Sequence, residues 1–310
     1  MRIVFMGTPE AAVPTLNQLL AGGHEVVAVW TQPDRPAGRG NKLTASPIKQ
    51  FALEHGLTVY QPAKIKTEAA LETFKSHNAE LAIVVAYGRI LPETFLSTPT
   101  RGCVNVHFSL LPSYRGAAPV NWAIVNGEKE TGVTTMFIEP TLDTGPILLQ
   151  RSTPIGAAEN ASQLMNRLSV TGAELLGETL RRFAELTPQS QDHERATFAP
   201  ILKREDGLID WSRPATEIER CVRGFQPWPN AHTQIDGKRF TIWSAEVLST
   251  TLGGIPGEII KAQGDELIVT CGGQSALRLT EVQPEAKRRM SVRDFLNGTH
   301  LKIGDRFGST

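Results

Sequence analysis

Two same-face side chains and a distant carboxylate hold most of the chemistry this chain offers. In Cys103-Val104-Asn105-Val106-His107 the valines alternate with polar residues, the pattern of a half-buried strand. Asn105 and His107 are two positions apart, so they project from one face. Ser109-Leu110-Leu111-Pro112 then breaks the strand into a loop. An amide and an imidazole thus stand together at a strand end, where open α/β sheets take their ligands. Asp143 follows thirty-six positions after His107 (143 minus 107), in the turn-rich Thr141-Leu142-Asp143-Thr144-Gly145. An amide can hold an oxyanion, an imidazole can move protons, and a carboxylate can orient and charge the imidazole, which together suit acyl transfer. Singly, each residue has an ordinary reading: a strand-end Asn, a satisfied boundary His, a turn-forming Asp. The three types in one segment are what point to chemistry.

The elements around them must place that strand end. Residues 3–6 form a short apolar strand ended by Gly7. Thr8 suits a helix N-cap and Pro9 a first helical position, giving a helix to about residue 21 that stops at Gly22-Gly23. Pro14 is expected to make its first turns irregular. Residues 26–30 read as the second strand, and the strand-helix-strand opening predicts a Rossmann-like, doubly wound domain. A dinucleotide is not the expected ligand. Gly7-Thr8-Pro9-Glu10 is not the glycine fingerprint, and Thr31-Gln32 stands where a ribose-binding acid would end the second strand. Residues 81–86 are continuously apolar, as in the buried middle of a parallel sheet. The loop Tyr87-Gly88-Arg89-Ile90-Leu91-Pro92 follows at that strand's end, placed to wall a flat heteroaromatic ligand. Helices are expected over 47–55, 67–78, 118–125 and 162–186, and strands over 133–138 and 147–152 on either side of Asp143.

With 310 residues the chain is long enough for two domains. We read 1–187 as the domain carrying the trio, the polar run 188–207 as a linker, and 208–310 as a second domain. Its pattern is a helix near 215–222, short strands over 233–235, 239–243, 258–261, 267–270 and 277–282, and a last helix capped by Ser291 with Asp294. Asp236-Gly237 marks a hairpin. Five short strands fit an OB-like β-barrel, a fold that often binds nucleic acid. Net charge is +0, so any RNA contact must be local. Residues 31–49 read as a long loop with Arg35, Arg39, Lys42 and Lys49 against Asp34, four basic less one acidic, or +3. Lys287-Arg288-Arg289 is a second basic cluster. As bare charge runs these are a solvated loop and a solvated turn; the loop also suits a flexible basic finger that contacts RNA phosphates. Three cysteines, far apart and in no CxxC pair, argue against a disulfide framework or zinc site and fit a reducing cytoplasm. No signal peptide or membrane-spanning run is expected.

Asn105-Val106-His107, the Ser109-Leu110-Leu111-Pro112 after it and Leu142-Asp143-Thr144-Gly145 resemble the 10-formyltetrahydrofolate-dependent formyltransferases. Arg115-Gly116-Ala117-Ala118-Pro119 and Thr31-Gln32-Pro33-Asp34-Arg35-Pro36-Ala37-Gly38-Arg39-Gly40 resemble the branch of that family that formylates methionyl-tRNA. The likeness runs from Met1 to about Gly298. Phe108 departs from it, standing where a small Gly, Ala or Pro is expected, and bears on pocket shape. The resemblance implies formyl transfer from 10-formyltetrahydrofolate to the methionine of initiator methionyl-tRNA. Asn105, His107 and Asp143 would be catalytic. Ser109, Leu110, Leu111, Pro112, Tyr87, Ile90 and Leu91 would bind folate. Arg35, Arg39, Lys42, Lys287, Arg288 and Arg289 would bind tRNA, with Arg39 probing the first base pair. No metal is expected, because the folate already carries an activated formyl group, and the chain is expected to act as a monomer. A small amine or water as acceptor, or an RNA-binding protein without catalysis, are the competing readings.

Overall fold

A computed structural model describes residues 1–37, 42–249 and 254–308. The chain divides into two compact units. The first holds Met1–Pro119, Glu130–Pro154 and Met165–Ala199; the second holds Val120–Lys129, Ile155–Leu164 and Pro200–Thr310.

In chain order the strands of the first unit are β1 (Arg2–Gly7), β2 (Glu25–Trp30), β3 (Arg35–Ala37), β4 (Lys42–Thr44), β5 (Val59–Tyr60), β6 (Leu81–Val85), β7 (Cys103–His107), β8 (Arg115–Gly116), β9 (Glu130–Phe137), β10 (Ile147–Pro154) and β11 (Phe198–Ala199). Seven of them make one sheet in the order β10-β9-β7-β6-β1-β2-β5. β5, β2, β1, β6 and β7 run parallel, β9 adds to β7 antiparallel, and β10 adds to β9 antiparallel. The chain moves outward from β1 through β2 to β5, then returns to the other side of β1 with β6. That reversal opens a crevice at the strands' carboxyl ends, the place where doubly wound sheets bind ligands. Every residue of β6 is buried, as its unbroken apolar run predicts.

The structure differs from the sequence expectations in three places. The expected helix from residue 9 is split into a 3₁₀ turn, Glu10–Ala12, and an α-helix, Val13–Ala21. Pro14 falls in the helix's first turn, where a missing N–H is harmless but a bond back to Glu10 cannot form. Thr8 does not cap this helix; its hydroxyl donates to the Tyr87 carbonyl at 3.1 Å. The expected long loop over 31–49 contains the hairpin β3–β4, paired Arg35 to Thr44 and Pro36 to Leu43, ahead of the expected helix, Pro47–Glu54. Both strands of a two-stranded hairpin are edges, which is where a proline such as Pro36 is tolerated. Lys49 is not free at its base: it pairs with Asp34 at 2.6 Å. Finally, residues 189–199 fold onto the first unit. Gln189 and Ile147 exchange backbone bonds of 2.8 Å, and β11 pairs with β8. A polar stretch satisfied through its backbone carries no hydrophobic pattern to announce it.

In the second unit β12 (His232–Ile235), β13 (Lys238–Val247), β14 (Ile259–Gln263), β15 (Glu266–Cys271), β16 (Ser275–Pro284) and β17 (Met290–Ser291) form an antiparallel sheet, ordered β12-β13-β16-β15-β14 with β17 beside β16. Among the described residues no ladder joins β12 to β14, so the sheet is open there. The helix Ala215–Gly224 buries Ala215, Ile218 and Val222 against Trp211, Phe240, Leu277 and Leu279. Asp236 and Gly237 both have positive φ, 50° and 70°, as a type I′ hairpin turn demands. Ser291 caps the last helix, Val292–Asn297, by accepting from the Asp294 N–H. Among the described residues no helix is long and apolar enough to cross a membrane.

Candidate active site

His107 ends β7 with its side chain almost wholly buried. Its Nε2 lies 2.9 Å from the Tyr114 carbonyl oxygen. A carbonyl only accepts, so Nε2 carries a proton and Nδ1 is the nitrogen left for proton transfer. Nδ1 faces Asp143 Oδ2 at 3.8 Å, a charge contact too long for a hydrogen bond. The same Oδ2 accepts from the Gly116 N–H at 2.8 Å, which fixes the carboxylate. Asp143 itself has φ 51° and Tyr114 φ 61°, the left-handed region, so both turns are held by their surroundings. Asn105 sits two residues before His107, between Val84 of β6 and Met136 of β9, half-buried. Among the described residues its carboxamide makes no hydrogen bond. The strand therefore presents an uncommitted amide beside an oriented imidazole, with a fixed carboxylate opposite the imidazole.

The loop that follows is locked from β9 and β10. Thr134 donates to the Ser109 carbonyl at 2.7 Å and accepts from the Leu111 N–H at 3.2 Å. Gln150 Nε2 donates to the Leu111 carbonyl and to Thr134 Oγ, both at 2.9 Å. Ser109 Oγ donates to the Ser113 carbonyl at 2.6 Å. Thr134→Val should therefore leave several buried partners unpaired and cost roughly 2–3 kcal/mol in urea unfolding. A loss under about 0.5 kcal/mol would mean that the loop is held by something else. Phe108 is buried, and its ring turns away from the trio. A side chain at Gly172, on the helix Ala161–Arg181, would meet Phe108 at 3.4 Å and Val106 at 2.9 Å. Successive residues of a strand face opposite sides. The bulk at 108 is thus taken up by a glycine on the covering helix and does not narrow the site.

The other sequence-derived residues fall into separate places. Ser109 and Leu111 are buried, and Leu110 and Pro112 are partly buried in the locked loop. Tyr87 is 2% exposed within the cluster of Trp30, Phe74, Leu91 and Phe95. Among the described residues its hydroxyl has no partner, and burial pushes its pKa up to about 12. What Tyr87 offers is its carbonyl, held by Thr8 and by Gln32 Nε2 at 3.0 Å. Leu91 and the exposed Ile90 border a cavity of about 430 Å³ with Ile65, Leu71, Pro92 and Phe95. None of the trio lines it. Arg35 is exposed at the start of the basic hairpin, with Nη2 at 3.5 Å from Gln32 Oε1. Lys42 opens β4, and Arg39 lies outside the described residues. Lys287, Arg288 and Arg289 are exposed in the turn between β16 and β17. Arg289 is already engaged, with Glu281 and over the Trp243 ring at 4.7 Å. Among the described residues no three His, Cys, Asp or Glu side chains are grouped to hold a metal.

Residue types alone did not reveal the groups that orient the trio. The Tyr114 carbonyl and the Gly116 N–H are backbone groups, and only the glycine in Arg115-Gly116 hinted at one. Gln150 and Gln191 reach the site from distant segments.

The family model described as formyl transferase matches residues 1–180, and the one described as formyl transferase, C-terminal domain, matches 201–300. The chain is 50% identical over 307 residues to the methionyl-tRNA formyltransferase of Caldanaerobacter subterraneus, covering 98% of this chain and 99% of that one. It is 50% identical over 311 residues to that of Methylococcus capsulatus, covering 100% of both. Among solved structures, the N-formyltransferase of Helicobacter canadensis with folinic acid and dTDP-3-aminofucose overlays 91% of this chain and 98% of its own, with TM-score 0.66 and 18% identity. HypX from Aquifex aeolicus overlays 96% of this chain on 47% of its own, with TM-score 0.65 and 19% identity. At those identities the two structures speak to the fold alone.

Proposed function

The chain belongs to the formyl transferase family, and from that premise we propose that it transfers the formyl group of 10-formyltetrahydrofolate to the α-amine of methionine on initiator tRNA. The observation that carries the chemistry is the strand end itself. His107 is tied at Nε2, faces Asp143 at Nδ1 and stands two residues from an unpaired Asn105 carboxamide. The amine attacks the formyl carbon, and the C–N bond forms as the carbonyl oxygen becomes an oxyanion. Asn105 donates to that oxygen. His107, with a proton on Nδ1, adds a second donor from a ring set by its Nε2 bond, since at 3.8 Å Asp143 does not engage that N–H in a hydrogen bond. The Asp143 carboxylate takes the proton released by the amine and returns it towards N10, the N10–C bond breaks, and tetrahydrofolate leaves. Preformed donors at the developing charge need no reorganisation in the transition state, which is where the rate gain arises.

In this reading the locked loop over 109–112 and the loop over 87–91 take the pterin, through backbone groups and the side chains of Leu110, Ile90 and Leu91. The antiparallel sheet of the second unit serves as an OB-type barrel for tRNA, and of the expected linker 188–207 between domain 1–187 and domain 208–310, the part after Ala199 makes the join. The protein works as a monomer in the cytoplasm. Arg35, Arg39 and Lys42 of the hairpin, with Lys287, Arg288 and Arg289, meet phosphates, and Arg39 probes the first base pair. Arg288→Ala should raise KM for tRNA several-fold, leave kcat alone, and reduce the slope of log affinity against log salt by about one. An unchanged slope would remove Arg288 from the interface.

Formyl transfer measured on initiator and elongator methionyl-tRNA side by side tests the whole reading, with transfer to the initiator alone as the expected result. Equal transfer to both would remove the discriminating role of Arg39. Formate release with no transfer would replace the reading with a hydrolase.

A further inference from the structure

The segment that folds back over 189–199 contains a buried side chain that grips the Asp143 turn. Gln191 is 6% exposed. Its Nε2 donates to the Asp143 carbonyl at 2.9 Å and to the Gly145 carbonyl at 2.7 Å. Its Oε1 accepts from Arg115 Nε at 3.1 Å and Nη2 at 2.7 Å. Arg115 is 4% exposed, and its further partner is His193 Nδ1 at 3.0 Å. All four hydrogen-bonding positions Gln191 uses therefore end on two segments: the turn that carries Asp143 and the strand whose next residue, Gly116, holds the Asp143 carboxylate.

We infer that Gln191 is a positioning residue for the reaction, setting the Asp143 carboxylate against His107 Nδ1 by fixing the turn from behind. The inference rests on the reading of Asp143 as catalytic. Asp143 has a left-handed backbone, φ 51°, and Gln191 donates one N–H to its carbonyl and the other to the Gly145 carbonyl, gripping the turn at two of its peptides. The amide type matters. It gives two donors to carbonyls and one acceptor to a guanidinium in a single group, which only a carboxamide does. A carboxylate at 191 keeps the Arg115 contact as an ion pair but faces the carbonyls of residues 143 and 145 with a second acceptor. That substitution should leave the fold standing while it displaces the turn.

Gln191→Glu in the full chain should keep Tm within a few degrees and KM for both substrates near wild type, while kcat falls roughly 10- to 100-fold, as a misplacement of about 1 Å does. The decisive comparison is with Asp143→Ala. If Gln191 acts through Asp143, then Gln191→Glu should lower kcat no further in the Asp143→Ala background. A wild-type kcat in Gln191→Glu, or the same fold loss in both backgrounds, would overturn the inference. If Asp143→Ala itself keeps wild-type kcat, the reading of Asp143 fails instead, and with it the ground for this one. Should Gln191→Glu not fold, Gln191→Met removes the same donors without a charge and carries the same expectations.

Discussion

Asn105→Ala should lower kcat for formyl transfer by about 10²–10³ while KM for 10-formyltetrahydrofolate changes little. The reason is the bond inventory. The Asn105 carboxamide is spent on nothing else among the described residues, so its donor is available only to a ligand. A donor aimed at charge that develops in the transition state acts on kcat and not on ground-state binding. His107→Ala should fall in the same range. The double substitution should cost much less than the product of the two, because both act on one oxyanion. Stopped assays under saturating methionyl-tRNA measure this directly. A kcat within tenfold of wild type for Asn105→Ala would show that the oxyanion is held by another group.

The second large effect is expected at Gly116. Its φ of 125° is in a region open to glycine alone, and a Cβ there would stand 2.5 Å from the Ala199 carbonyl oxygen. Gly116→Ala must push β11 away from β8, although the Ala117 N–H depends on that same carbonyl at 2.9 Å. It must also turn the N–H that holds Asp143 at 2.8 Å. We expect a loss above about 3 kcal/mol in stability, from strain and clash together. We also expect kcat to fall at least ~100-fold in whatever folded fraction remains. Urea unfolding followed by an assay of the folded protein at low temperature separates the two effects. Normal stability with normal kcat would contradict the clamp described between residues 116 and 199.

The chemistry of this protein was legible wherever it depended on residue type and short spacing. Alternation in 103–107 placed Asn105 and His107 on one face, and the structure has both on β7. The continuous apolar run at 81–86 became the fully buried β6 over Leu81–Val85, with Ala86 exposed just past its end. Both follow from local geometry, since a strand repeats every two residues and a central parallel strand is covered on both sides. The Asp143 turn was legible as a turn, from Asp, Thr and Gly in sequence. That it meets His107 at 3.8 Å was not, because thirty-six positions of spacing (143 minus 107) say nothing about distance.

The long-range clamps were decided by the tertiary structure alone. Segment 189–199 has the composition of a linker, yet it closes over residues 112–118 and 143–147. Its bonds come from backbone groups, the Gln191 amide, the Thr197 hydroxyl and the His193 imidazole, and backbone groups are the same in every residue. Phe108 departed from its expected type, and a glycine on the helix Ala161–Arg181 absorbs it, a compensation no local pattern can express. The sequence by itself determined the doubly wound core, the same-face pair and the turn types, because these depend on periodicity and side-chain chemistry. The structure decided which nitrogen of His107 faces Asp143 and what holds that carboxylate still. Those depend on distances between residues that only folding brings together.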